Sequence, residues 1–185
     1  SFYTFHGLSY VLDVYNRKIN IINNFLDYAL FVCFFPLLVA GPIERASHLL
    51  PQVQRLRIFN QYNAVQGMRQ ILWGFFKKIV VADNCSDLVN LIFSGADHYN
   101  GSTLWVGSLL FTFQIYGDFS GYSDIALGTA KLFGIELLRN FSFPYFSKSM
   151  SEFWKRWHIS LSSWFRDYLY IPLGGNQFGI VRQIR

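Results

Sequence analysis

Apolar residues recur at helical spacing along most of this chain, and polar clusters cut the pattern into segments. Residues 1–15 are aromatic and mostly apolar and read as the end of a helix, followed by a polar loop over 16–24. Residues 25–40 (FLDYALFVCFFPLLVA) are the most hydrophobic stretch and the best membrane-helix candidate, with Asp27 at an interfacial start and Pro36 predicting a kink. Gly41-Pro42-Ile43-Glu44-Arg45 ends that helix, and the charged stretch 51–63 predicts a surface-lying segment. Helical spacing returns over 64–82, interrupted by Arg69, Lys77 and Lys78. Each charge would cost ~2.5–3.5 kcal/mol at mid-bilayer, so this helix is expected in the interface or along a polar cavity. A short helix at 85–93 and a loop at 94–102, carrying a solvated His98, complete the first half.

An apolar helix at 103–116 runs into GDFSGYSD at 117–124. Two carboxylates, two Ser and two Gly predict broken backbone there, which membrane depth tolerates only inside protein or along a wet cavity. Asp118, Ser120 and Asp124 are therefore candidates to line such a cavity. A helix resumes over 125–138, with small residues Gly128 and Gly134 allowing close helix approach, and Pro144 marks a turn at 141–145. The last segment, 150–176, sorts as one amphipathic helix at 100° per residue. Glu152, Arg156, Ser160, Ser163 and Asp167 share a polar face; Trp154, Leu161, Phe165 and Leu169 share the apolar one, with His158 among them and Ser162 and Lys155 at its edge. An imidazole beside a hydroxyl suits acid/base chemistry, although a lone His on an apolar face is more often structural.

Composition changes the setting of these helices. The 185 residues are 52% hydrophobic, 19% aromatic and only 15% charged, against about 25% charged in soluble domains. Aromatic excess with few charges points to a membrane, although no segment offers ~20 uninterrupted apolar residues. Helices packed around a polar interior satisfy both observations; a soluble all-helical protein is the alternative. The net charge of +5 comes from scattered residues without a nucleic-acid reader motif. Pairs such as Lys77-Lys78 and Lys155-Arg156 read instead as cytoplasmic-side anchors. Cys33 and Cys85 are too few and too far apart for a disulfide framework, and no metal site is expected. Ser1 and Arg185 read as internal positions of a longer protein, so 1–185 is expected to be part of a single domain incomplete at both ends.

Four ordered motifs carry a family resemblance: the Gly-Pro-Ile-Glu-Arg turn at 41–45, YGDFSGYSDIALG at 116–128, RNFSFPYF at 139–146, and EFWKRWHISLSSWFRDYLYIPLGGN at 152–176. Together they closely resemble the membrane-bound O-acyltransferase family, most of all the subgroup that O-acetylates bacterial exopolysaccharides such as alginate. The resemblance implies an all-α, polytopic protein of the bacterial inner membrane, its kinked or re-entrant helices surrounding a tunnel. It implies transfer of an acyl group, acetyl by the wording of residues 166–176, from a cytoplasmic thioester donor such as acetyl-CoA to polysaccharide hydroxyls. No bound cofactor is implied; the partners are the lipid bilayer and extracytoplasmic polysaccharide-modifying proteins.

The family's chemistry is associated with two histidines. The first maps onto His158; the second is expected beyond Arg185, since His6, His48 and His98 do not match it, so this piece alone is expected to be inactive. Trp154, Trp157, Ser162 and Arg166 join Asp118, Ser120 and Asp124 as candidates to line the substrate tunnel. Arg156, Arg166 and Asp167 read alternatively as ion pairs that hold the polar face together, since Arg-Asp neighbours are more often structural than catalytic. Two other readings compete: D-alanyl transfer toward teichoic acid, and a transporter or channel with Asp118, Asp124 and His158 along an ion path.

Overall fold

A computed structural model describes residues 2–178, and every regular element among them is helical. In chain order these are α1 (Phe2–Tyr15), α2 (Phe25–Val32), a 3-10 turn (Phe35–Leu37), α3 (Ala46–Gln54), α4 (Gln61–Phe75), π-type turns (Phe76–Asp83) and α5 (Asn84–Ser94). After a 3-10 turn (Ala96–His98) come α6 (Gly101–Leu132), a 3-10 turn (Pro144–Phe146), α7 (Met150–Arg156), α8 (Ile159–Phe165), π-type turns (Arg166–Tyr170) and a final 3-10 turn (Gly175–Phe178). The elements fall into two units: one combines the segments up to Leu56 and from Ile135 onward, and the other is Arg57–Gly134.

The Arg57–Gly134 unit is a helical hairpin with its glycines inside. α4 and α6 run antiparallel, so that Gly67 faces Gly128 and Gly74 faces Gly121. A Cβ on Gly74 would lie 2.6 Å from the Gly121 carbonyl oxygen, and one on Gly128 would lie 2.5 Å from that of Gly67. Only glycine permits backbones this close. Alongside the glycine pairs runs a polar ladder. Lys77 Nζ donates to Ser120 Oγ (3.0 Å) and pairs with Asp124. Gln70 Nε2 donates to Asp124 Oδ1 (3.0 Å), and Lys131 Nζ to Gln70 Oε1 (2.8 Å). At its end Lys78 bonds Asp118 (2.8 Å) and Asp83 (2.7 Å).

The outside of this hairpin is apolar: Leu72, Trp73, Ile79, Leu91, Trp105 and Leu109 are all exposed. Small and polar groups inside with large apolar groups outside suit an apolar solvent rather than water. No helix among the described residues is long and apolar enough to cross a membrane. α6 has the length, about 48 Å at 1.5 Å per residue, but Gln114, Asp118 and Asp124 dilute its hydrophobicity.

The other unit is built from α1, α2, α3, α7 and α8, with Phe31, Leu37, Ile43, Leu49 and Ile135 fully buried. Five expectations need correction. The helix expected over 25–40 stops at Val32, because Pro36 lacks an amide hydrogen and disfavours helix at the residue before it; only a 3-10 turn follows. The break expected at 117–124 is absent: α6 passes through it unbroken, its glycines being contact points against the other strand of the hairpin. The helix expected to 138 ends at Leu132, where Gly134 (φ +70°) takes the left-handed position that closes helices. The single helix expected over 150–176 is broken at Trp157-His158 into α7 and α8. In the other direction, the separate helices at 64–82 and 85–93 are one helical run from Gln61 to Ser94, widened by π-type turns at Lys77 and Lys78.

Candidate active site

The break at 157–158 places His158. The residue sits immediately before α8 at φ 44°, ψ 54°, a left-handed conformation that costs a non-glycine residue about 1–2 kcal/mol. His tolerates it better than a β-branched residue would. Residues 140–142 hold both flanks of the turn: Ser142 N–H donates to the Arg156 carbonyl (3.0 Å), and Ile159 N–H to the Asn140 carbonyl (2.9 Å). α7 enters the turn capped by Ser149, whose Oγ accepts from Glu152 N–H (3.2 Å), and Arg156 reaches back one turn to Glu152 (2.6 Å). Trp157 stacks on Phe153 (5.5 Å between centroids) and meets Phe141 edge-on (5.0 Å), fastening the same two segments through their rings. His158 itself is half-buried, and burial lowers its pKa below the ordinary 6.5, so the neutral imidazole prevails near pH 7.

The 41–45 turn closes on this region from a distant part of the chain. Ile43 N–H donates to Ser160 Oγ (2.9 Å), whose hydroxyl donates to Asn140 Oδ1 (2.5 Å). Glu44 is fully buried; its N–H donates to His6 Nε2 (3.1 Å), and its carboxylate accepts from Leu138 N–H (2.5 Å) and meets His48 Nδ1 (2.7 Å). That hydrogen bond raises the His48 pKa above 6.5, outweighing the burial that lowers it. Arg45 pairs with Asp167, which also takes Arg166 Nε (2.7 Å). Burial works to raise the Asp167 pKa, but the two guanidiniums bring it below the ordinary carboxylate value. Tyr168, next in sequence, donates to buried Asp13 (2.8 Å).

His158, Trp154, Trp157, Ser162 and Arg166 thus belong to one unit, where Ser162 N–H donates to the His158 carbonyl (3.1 Å). Trp154 is 55% exposed and Phe165 is exposed as well. Asp118, Ser120 and Asp124 lie on α6 in the other unit and are engaged by Lys77 and Lys78. Arg166 is held by Asp167, and Arg156 by Glu152, as the ion-pair reading expected. Among the described residues no three His, Cys, Asp or Glu side chains cluster to hold a metal. Sequence reasoning misses Asn140 and the buried role of Ser160, because an isolated Asn before an aromatic run reads as an ordinary turn residue. The available signal is the pairing of Asn140 with Ser160 across the left-handed turn, which only coordinates reveal.

Comparison with known proteins agrees with the motif reading. The chain is 44% identical over 177 residues to the probable alginate O-acetylase AlgI of Azotobacter vinelandii, covering 96% of this chain and 35% of that protein. It is 44% identical over 158 residues to the peptidoglycan O-acetyltransferase of Helicobacter pylori, covering 84% of this chain and 30% of that protein. Similarity to the teichoic acid D-alanyltransferase of Bacillus subtilis is lower, 29% over 175 residues, covering 92% and 44%. The chain spans about a third of the length of the two O-acetylases it matches. The family model for membrane-bound O-acyltransferases matches residues 7–185, across both units. With that match, and with apolar side chains outside its glycine-packed hairpin, the chain belongs to the membrane-bound O-acyltransferase family.

Proposed function

We propose that the protein containing this chain transfers an acetyl group from a cytoplasmic acetyl thioester to hydroxyls of an extracellular polysaccharide. The observation that carries the reading is His158, whose backbone is fixed in a left-handed turn by hydrogen bonds on both flanks. In the reaction, an imidazole nitrogen takes the proton of the acceptor hydroxyl as that oxygen attacks the thioester carbonyl. The tetrahedral intermediate collapses to the ester with loss of thiolate, which receives the proton back from the imidazolium. A backbone held in place beforehand presents the imidazole without rearrangement of the turn at the moment of transfer. Trp154, Trp157, Ser162 and Arg166 flank it along the same tunnel. The tunnel role of Asp118, Ser120 and Asp124 belongs to the same proposal, with Lys77 and Lys78 as their counter-charges.

The apolar exterior of the hairpin supports a multi-pass setting in the bacterial inner membrane, with the two units as parts of one domain. Extracytoplasmic proteins then complete delivery to the polymer. Acetyl rather than D-alanyl is favoured because identity to the two O-acetylases is 44% against 29% to the D-alanyltransferase. The test is His158→Ala in the full-length protein, with ester-linked acetate and D-alanine measured on the cell-surface polymers. Loss of acetate at unchanged protein abundance is expected; retained acetate would sink the role of His158, and loss of D-alanine instead would move the substrate.

A further inference from the structure

The turn that presents His158 is held more firmly than a helix start requires. Among the described residues three non-glycines have left-handed backbone, Arg17, Phe143 and His158; Phe143 directly follows the short pairing of 140–142 with 156–159, and His158 lies within it. Such conformations persist where the surroundings over-determine them, and they concentrate at functional sites. Asn140 supplies two of the restraints. Its carbonyl takes Ile159 N–H, next to His158, and its Oδ1 takes the Ser160 hydroxyl. Ser160 Oγ in turn accepts Ile43 N–H, so the 41–45 turn, 117 residues away, is tied into the same knot. Asn140 (1% exposed), Ser160 (2%) and Ile43 (1%) are all shielded from water. α8 has no side-chain cap on its first amides; the hydroxyl at its start points sideways to Asn140 instead. At this helix start the polar side chain therefore fixes the turn rather than capping the helix.

We propose that Asn140, linked through Ser160 to the 41–45 turn, is the positioning residue that fixes the His158 imidazole for proton transfer. Asn140 and Ser160, both buried, act through the turn. The inference rests on the acyl-transfer role proposed for His158. Ser160→Ala removes one hydroxyl that both donates and accepts, so that the bonds from Ile43 N–H and to Asn140 Oδ1 are lost and the turn is loosened. Ser160→Thr keeps the hydroxyl. A misplacement of about 1 Å at a reacting group costs on the order of a hundredfold in rate. Weaker binding of substrate would raise KM, whereas a displaced base lowers kcat.

The experiment uses the full-length protein in membrane vesicles from its native host. Initial rates of acetyl transfer to the native polysaccharide are measured against acetyl-CoA concentration for wild type, His158→Ala, Ser160→Ala and Ser160→Thr, per folded molecule. The expected result is no activity in His158→Ala, a kcat lowered about ten- to hundredfold in Ser160→Ala with little change in KM, and recovery in Ser160→Thr. An inactive His158→Ala beside a Ser160→Ala of wild-type kcat would overturn the positioning role and leave the histidine's role standing. A Ser160→Ala defect that appears only as lost folded protein, or that Thr fails to rescue, would overturn it as well. An active His158→Ala would overturn the acyl-transfer reading itself.

Discussion

Gly128→Ala tests whether backbone contact, rather than side-chain packing, joins the two long arms of the hairpin. The new methyl would lie 2.5 Å from the Gly67 carbonyl oxygen and 2.7 Å from Ile71 Cγ1. Ordinary van der Waals contact begins at 3.4 Å, so the gap is short by 3.4 − 2.5 = 0.9 Å, and the carbonyl cannot rotate away as a side chain could. α4 and α6 must separate, which stretches the Gln70–Asp124 (3.0 Å) and Lys131–Gln70 (2.8 Å) hydrogen bonds beside the contact. Overpacking of this kind costs ~1–3 kcal/mol, against a gain of up to ~1 kcal/mol from replacing a helical Gly by Ala. A net loss of about 1–2 kcal/mol is expected. Gly101 on the same helix provides the control, since a Cβ there meets nothing within 4 Å. Thermal unfolding of the full-length protein in detergent should place Gly128→Ala below wild type and Gly101→Ala level with it or above. If Gly128→Ala melts as high as Gly101→Ala, the close approach does not exist.

Two further outcomes follow from charges inside the protein. Lys77→Met takes the cation from Asp124, whose side chain is 24% exposed and keeps the Gln70 hydrogen bond, and should destabilise by no more than the lower end of the ~3–5 kcal/mol typical of broken buried pairs. The double variant Lys77→Met/Asp124→Leu should recover part of that loss, and a thermal-unfolding cycle that returns the plain sum of the single effects would refute the coupling. His48 has its folded pKa raised above 6.5, chiefly by its hydrogen bond to the Glu44 carboxylate, with Glu136 adding to the rise and burial and Arg45 opposing it. Its contribution is therefore complete below pH 6.5 and is lost as pH climbs through the folded value. Wild type should lose melting temperature over that rise more steeply than His48→Gln; parallel curves would contradict the linkage.

The helical class and the membrane setting were legible because they rest on composition and on spacing, which survive local errors. The hairpin was legible only in part. Gly117 and Gly121 look like helix breakers in sequence, since intrinsic propensity penalises Gly without regard to what faces it. In the structure they sit where Lys77, Ala82 and Gly74 press against α6, so tertiary contact overrides propensity. The break at Trp157-His158 was illegible for a different reason. The residues before and after it keep one helical phase, and His158 adopts a conformation for which Gly or Asn is the usual signal. Pro36, by contrast, announced its effect, and only the size of the interruption was underestimated. His158 and its ring-bearing neighbours could be named from the motif, whereas Asn140, Ser160 and Glu44 act through partners that periodicity does not connect.

The division into a continuous unit and a split one bears on the order of synthesis. Residues 57–134 can settle on contacts within themselves, but the unit carrying His158 stays incomplete until the chain beyond Ile135 has been made. The hairpin also brings its own ends together: a Cβ on Gly134 would lie 4.0 Å from Arg57 Cγ. Once it has formed, Leu56 and Ile135 behave as near neighbours along the chain instead of as the ends of an ~80-residue loop. Shortening a closing loop about tenfold lowers its entropic cost by ~2 kcal/mol. The hairpin is thus a folding template for the rest, and a nascent chain whose glycine contacts fail should leave the histidine turn unassembled even though no residue of that turn has changed.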